Sequence, residues 1–119
     1  MQINKTGFFI FWTPVILYAG FIFYMSSLPS MTLPVRFPHI DKIIHIAEYA
    51  LFGFLLARAV KYSFSGLNNR RLYFIVLLST FLYGVSDEVH QLFVATRVFS
   101  GWDILADVIG GLLGVYLFL

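Results

Sequence analysis

The 119-residue chain is 60% hydrophobic and 19% aromatic, but only 12% charged, with a formal net charge of +2. A soluble domain carries about a quarter charged residues, so this composition, with a mean hydropathy of +0.84, excludes an ordinary soluble protein and points to lipid. The lack of cysteine excludes disulfides, thiolate metal sites and a cysteine nucleophile, and without a repeat at periods of roughly 20–50 residues the length suits one domain over 1–119.

The first element, GFFIFWTPVILYAGFIFYM (7–25), contains no charge and has the roughly 20 apolar residues that cross about 30 Å of hydrocarbon. Pro14 is expected to kink it or to sit near its start. The run exceeds the roughly 7–15 residues of a signal-peptide core, and no A-x-A pattern follows, so it reads as a span. The loop SSLPSMTLPVRFP (26–38) comes next. A second span is expected over about 41–60, a basic turn KYSFSGLNNRR over 61–71, a third span over about 72–95 and a slightly short fourth over 103–119. The predicted fold is all-α, a four-helix membrane bundle whose short connections force antiparallel neighbours. Lys5, Arg58, Lys61, Arg70 and Arg71 lie at one end of it, and Arg36, Lys42 and Arg97 at the other. The positive-inside rule then places both termini in the cytoplasm and the chain, multi-pass, in the cell membrane. The first basic group reads as topology determinants and anionic-lipid contacts, with no nucleic-acid site.

On this map all six acids, Asp41, Glu48, Asp87, Glu88, Asp103 and Asp107, fall in the outward half, together with His39, His45 and His90. Asp41, His45 and Glu48 are spaced i, i+4, i+7 and form one helical stripe. Asp87, His90 and Gln91 share a face of the third helix, with Glu88 about 100° round from Asp87. Asp103 and Asp107 are again i, i+4, and that side continues through Gly110, Gly111 and Gly114, a G-x-x-x-G spacing that permits close helix approach. Gly53 and Gly84 could allow the same on their helices. Ionisable residues inside a span normally face the bundle interior or water and mark function, so three stripes at one depth read as the wall of a single cavity. The competing reading is a set of interfacial residues at headgroup level. It suits Asp41 and Asp103, at helix starts where a carboxylate complements the dipole, better than His45, Glu48, Asp87 or Asp107.

Several chemistries fit these groups. Glu48, Asp87 and Glu88 could divide general-acid and general-base roles, with His45 as a shuttle. His45-x-x-Glu48 and Asp87-x-x-His90 place a carboxylate and an imidazole on adjacent turns, as carboxylate-bridged metal sites in bundles do, with donors suited to Zn, Mn or Fe. The order is reversed in the second helix, and no metal or cofactor is assigned. The plainer alternative is an ion-pair network tying Asp103 or Asp87 to Lys42 and Arg97. Arg97, beside Phe93, Phe99 and Trp102, could hold a phosphate bidentately or anchor an interfacial aromatic belt. There is no phosphate-cradling glycine loop, no serine-nucleophile motif and no zinc signature.

DKIIHIAEYALFGFLL (41–56), YGVSDEVHQLFVATR (83–97) and DILADVIGGLLG (103–114), in this order on successive predicted helices, resemble the VanZ-like family of small bacterial membrane proteins over about residues 8–119. The family pattern is matched by Asp41, Lys42, His45, Glu48, Tyr49, Asp87, Glu88, Gln91, Arg97, Asp103 and Asp107. It departs after the last acid, where the family often has Asn and this chain has Val108, Ile109 and Gly110. The resemblance implies a site at the outer face. Its catalytic candidates are Asp41, His45, Glu48, Asp87, Glu88 and Asp107, and its ligand-binding candidates Lys42, Tyr49, Gln91, Arg97 and Asp103. The family's name comes from a protein associated with resistance to the glycopeptide teicoplanin, which supplies no reaction. The expected function is binding or processing of a lipid-linked or other cell-envelope amphiphile. Membrane lipids, a lipid-linked intermediate, a glycopeptide or a second copy of the chain are the expected partners. A non-enzymatic binder is the alternative. An ion-coupled transporter is less favoured, because it would need acids at mid-membrane.

Overall fold

The computed structural model describes residues 4–28, 40–94 and 100–119, leaving out the side chains at positions 40 and 41. Four helices form: α1 (Lys5–Ser26), α2 (Ile40–Ser63), α3 (Asn69–Gln91) and α4 (Gly101–Phe118). All four are long and apolar enough to cross a membrane. At 1.5 Å per residue even α4, with 18 residues, spans about 27 Å. They pack as a bundle in which α2 is central, contacting α4 most extensively and α1 next, while α3 closes against α4. No strand occurs among the described residues. Buried Tyr49, Phe52, Leu56, Val60, Leu72, Val76 and Val115 form the interior. Large apolar side chains such as Phe9, Leu17, Phe74, Leu82 and Tyr116 stay exposed around it, as a lipid-facing surface requires.

Capping sets the helix limits. The Asn68 side chain accepts from the Arg71 amide at 2.9 Å, starting α3 at Asn69, so Arg70 and Arg71 belong to its first turn rather than to a loop. Because α2 also continues through Lys61 to Ser63, the expected basic turn contracts to residues 64–68. At the other end α3 stops at Gln91, short of the expected 95. Leu92, Phe93 and Val94 each bond the carbonyl three residues back, tightening the chain out of α-helical geometry.

Pro14 lies inside α1 and has no N–H for the carbonyl of Ile10. That carbonyl accepts instead from Arg58 Nη2 of α2, at 3.3 Å, and the guanidinium sits 4.9 Å over the Phe11 ring. Trp12 Nε1 donates to Ser63 Oγ at 2.9 Å beside them. A residue expected to orient the chain and contact anionic lipid thus also joins two helices.

Glycine explains the close contact of α2 with α4. A Cβ on Gly110 would meet the Ile46 carbonyl, one on Gly114 the Ala50 carbonyl, and one on Gly53 the Gly111 carbonyl. The two backbones touch, running in the same direction, as the small-residue spacing predicts. This register brings the polar first turns of both helices to one end of the bundle.

Candidate functional site

The buried face of α3 reads Leu72, Val76, Thr80, Gly84, Asp87, Glu88 and Gln91. Recurrence at three and four residues makes it one stripe, apolar at the start and carboxylate-bearing at the end. On α4 the buried face begins with Asp103 and Asp107 and continues in glycines. Both polar ends meet α2 at His45. Glu88 and Asp107 are wholly buried, Asp87 is 5% exposed and Asp103 8%. None is solvated at the surface, including Asp103, which had suited the interfacial reading.

The contacts within this cluster are short. His45 Nδ1 lies 2.7 Å from Asp107 Oδ1, a separation that requires a shared proton. The opposite ring nitrogen, Nε2, is 3.8 Å from Asp103 Oδ2, while Lys42 Nζ lies 2.6 Å from Asp103 Oδ1. The Ser100 amide donates to Glu88 Oε2 at 3.0 Å. Ser100 is the N-cap of α4, so a helix-start amide with no intrahelical partner finds a carboxylate there. The second oxygens, Glu88 Oε1 and Asp107 Oδ2, are buried with no hydrogen-bond partner among the described residues. Leaving such an acceptor unpaired costs about 1–3 kcal/mol, more when it is charged. Asp107 Oδ2 rests against Gly84, where an added Cβ would approach it to 2.9 Å. One ligand atom each from His45, Glu88 and Asp107 lie within 4.8 Å of one another.

A sequence model described as VanZ/LLP1 matches residues 6–119. The chain belongs to the VanZ/LLP1 family. The match takes in all four helices and every residue of the cluster. Neither the curated proteins nor the solved structures contain a match, so VanZ/LLP1 membership accompanies the geometry without a worked relative beside it. Together they describe a multi-pass membrane-type protein with buried acidic residues.

Within this VanZ/LLP1 bundle Lys42, His45, Glu88, Asp103 and Asp107 converge, and Asp87 and Gln91 are buried on the same face of α3. Lys42, a candidate phosphate ligand, is paired with Asp103, as the ion-pair alternative describes. Glu48 is half-buried, and its backbone carbonyl accepts from Tyr18 Oη at 2.9 Å. Tyr49 is wholly buried, its ring 5.7 Å from Phe52 and 6.4 Å from Tyr83, and its hydroxyl has no hydrogen-bond partner among the described residues. The Asp41 side chain and all of Arg97 lie outside the described residues, as do Arg36 and His39.

His90 corrects the expected α3 face. It turns from the acids toward α1, stacking on Phe23 at 4.3 Å and meeting Ser27 Oγ at 2.9 Å. A three-residue offset from Asp87 leaves it about 60° round the helix, far enough for α1 to claim it. Consequently the three-donor group draws on three helices rather than on the within-helix pairs His45-x-x-Glu48 and Asp87-x-x-His90. Ser100 escaped sequence reasoning, and Gly84, expected to allow close helix approach, makes room for Asp107 in particular. For Ser100, a serine just ahead of an acidic first turn was the available signal.

Proposed function

We propose that this VanZ/LLP1 protein binds or processes a cell-envelope amphiphile, such as a lipid-linked intermediate, at the carboxylate-rich end of α2, α3 and α4, and that this end faces the cell exterior. The observation behind the reading is the pair of wholly buried carboxylates, Glu88 and Asp107, each with one oxygen unpartnered among the described residues, inside a bundle sheathed in apolar side chains. Acceptors kept dry in this way gain strongly when a ligand hydroxyl or amine reaches them. Acids within a membrane bundle mark function by default. A lipid headgroup can approach from the side, between helix ends, without leaving the bilayer. The proton shared by His45 and Asp107 suits acid–base chemistry on such a headgroup. Simple binding, the second reading, is favoured by the Lys42–Asp103 pair, which ties up a buried carboxylate that acid–base chemistry could otherwise use.

The test is an untargeted lipid profile and glycopeptide (teicoplanin) susceptibility of a deletion strain complemented with wild type or with Asp107→Asn, the two proteins matched for membrane level. Wild type should reverse the changes and Asp107→Asn should not. Full complementation by Asp107→Asn would sink the proposal.

A further inference from the structure

We infer that His45, Glu88 and Asp107 form a binding site for a divalent transition-metal ion, with Zn²⁺ the best-suited occupant. Three helices distant in sequence each deliver one donor, a ring nitrogen from α2 and carboxylate oxygens from α3 and α4, and these atoms lie within 4.8 Å of one another. Zinc holds nitrogen and oxygen ligands at about 2.0–2.2 Å, which sets neighbouring ligands roughly 3.4 Å apart in a tetrahedron. A bound ion would draw the donors together by up to about 1.4 Å. A second observation points the same way. Glu88 and Asp107 are 0% exposed, and one oxygen of each has no hydrogen-bond partner among the described residues. A proton would neutralise one carboxylate at a time, whereas one dication satisfies both oxygens and the imidazole together.

Charge balance agrees. Glu88, Asp103 and Asp107 are all buried, and the cations bonded to these three among the described residues are Lys42 and, when protonated, His45. The donor set of one imidazole and two carboxylates fits zinc or manganese, while calcium and magnesium favour all-oxygen surroundings. Outer contacts hold the ligands in place. The Ser100 amide fixes Glu88 Oε2, leaving Oε1 for the ion, and the Lys42–Asp103 pair braces the His45 ring. Three protein ligands leave a position open, where an oxygen of a phosphate or hydroxyl headgroup would bind. The ion site itself requires no amphiphile, and it stands or falls separately from the function proposed above.

The experiment uses the full chain purified in detergent, stripped with a chelator and dialysed against Zn²⁺, with bound metal measured by mass spectrometry. One zinc per chain is expected for wild type. His45→Ala and Glu88→Gln should each weaken binding by at least about 100-fold, while Arg70→Ala, at the opposite end, should bind as wild type does. Because an unfolded variant also loses metal, the folded wild type carries the decision, and substoichiometric zinc in it overturns the inference. Undiminished binding by folded His45→Ala or Glu88→Gln overturns it equally. Co²⁺ gives an independent readout, since its visible spectrum should differ from the aqueous ion in wild type and shift in His45→Ala. An aqueous-type spectrum with wild type would contradict the site.

Discussion

His45 sits 2.7 Å from one oxygen of Asp107, and the other oxygen has no hydrogen-bond partner among the described residues. Removing the imidazole alone therefore strands a wholly buried carboxylate. Breaking a buried pair from one side costs about 3–5 kcal/mol, yet replacing both partners by apolar groups is often neutral. His45→Leu should accordingly destabilise the bundle more than the double variant His45→Leu/Asp107→Leu, measured by denaturant unfolding in micelles. Simple addition of the two single effects would show that the pair does not interact. Gly84 makes a second residue-scale case. An alanine there would press its Cβ to 2.9 Å from Asp107 Oδ2, while at Gly20 nothing lies within 4 Å. Asp107 is tied to His45 and has little room to retreat, so Gly84→Ala should lose about 1–3 kcal/mol by overpacking. Gly20→Ala should gain up to about 1 kcal/mol from helix propensity. Thermal unfolding of the two side by side separates a steric glycine from an incidental one, and equal melting temperatures would deny Gly84 its role.

The helices are joined by bonds that local regularity cannot supply. Pro14 leaves the Ile10 carbonyl without its helical donor, and Arg58 of α2 provides one at 3.3 Å. Arg58→Ala should lose about 1–2 kcal/mol through that carbonyl and the cation–π contact with Phe11. Adding Pro14→Ala to Arg58→Ala should recover part of the loss, because an alanine in place of the proline brings its own N–H to the Ile10 carbonyl. A double-mutant cycle with no coupling beyond about 0.5 kcal/mol would refute the link. At the α2–α4 contact, Gly114→Leu puts a side chain where the Ala50 carbonyl stands. It should separate the helices and abolish the folded bundle, read as loss of cooperative unfolding. The spans and the carboxylate stripes of this architecture were legible in the sequence because helical periodicity fixes which side chains share a face, and because long apolar runs have few alternatives. Helix ends were less legible. Asn68 capping and the tightened turn after Gln91 depend on backbone bonds that periodicity does not encode. His90 was misplaced for a different reason. It is one turn from Asp87, but Phe23 and Ser27 of α1 decide its direction, and the packing angle of α1 has no signature in the local pattern. The meeting of Glu88 with Ser100 likewise joins residues twelve apart in sequence, a contact that helical periodicity does not encode.

At the level of the molecule, the long axis separates two chemistries. Lys61, Arg70 and Arg71 cluster where α2 passes to α3, with Lys5 at the start of α1 at that same end, while Asp87, Glu88, Asp103 and Asp107 are buried at the opposite end. Lys and Arg in short connections are retained on the cytoplasmic side, so the carboxylate end should face outward, where an outer-leaflet headgroup could reach it. The native chain has no cysteine, which makes any introduced thiol unique. Ser65 lies exposed between α2 and α3, and Gly101 lies exposed at the start of α4, where no described atom lies within 4 Å of an added Cβ. A membrane-impermeant maleimide should therefore label Gly101→Cys in intact cells and Ser65→Cys only after permeabilisation. Both positions are exposed, and a folded-state readout on each variant separates sidedness from unfolding. The reverse pattern would turn the carboxylates toward the cytoplasm. It would leave the buried cluster and its capacity for a metal ion intact, but it would end the case for an outer-leaflet ligand, because the bilayer would then separate that ligand from Glu88 and Asp107.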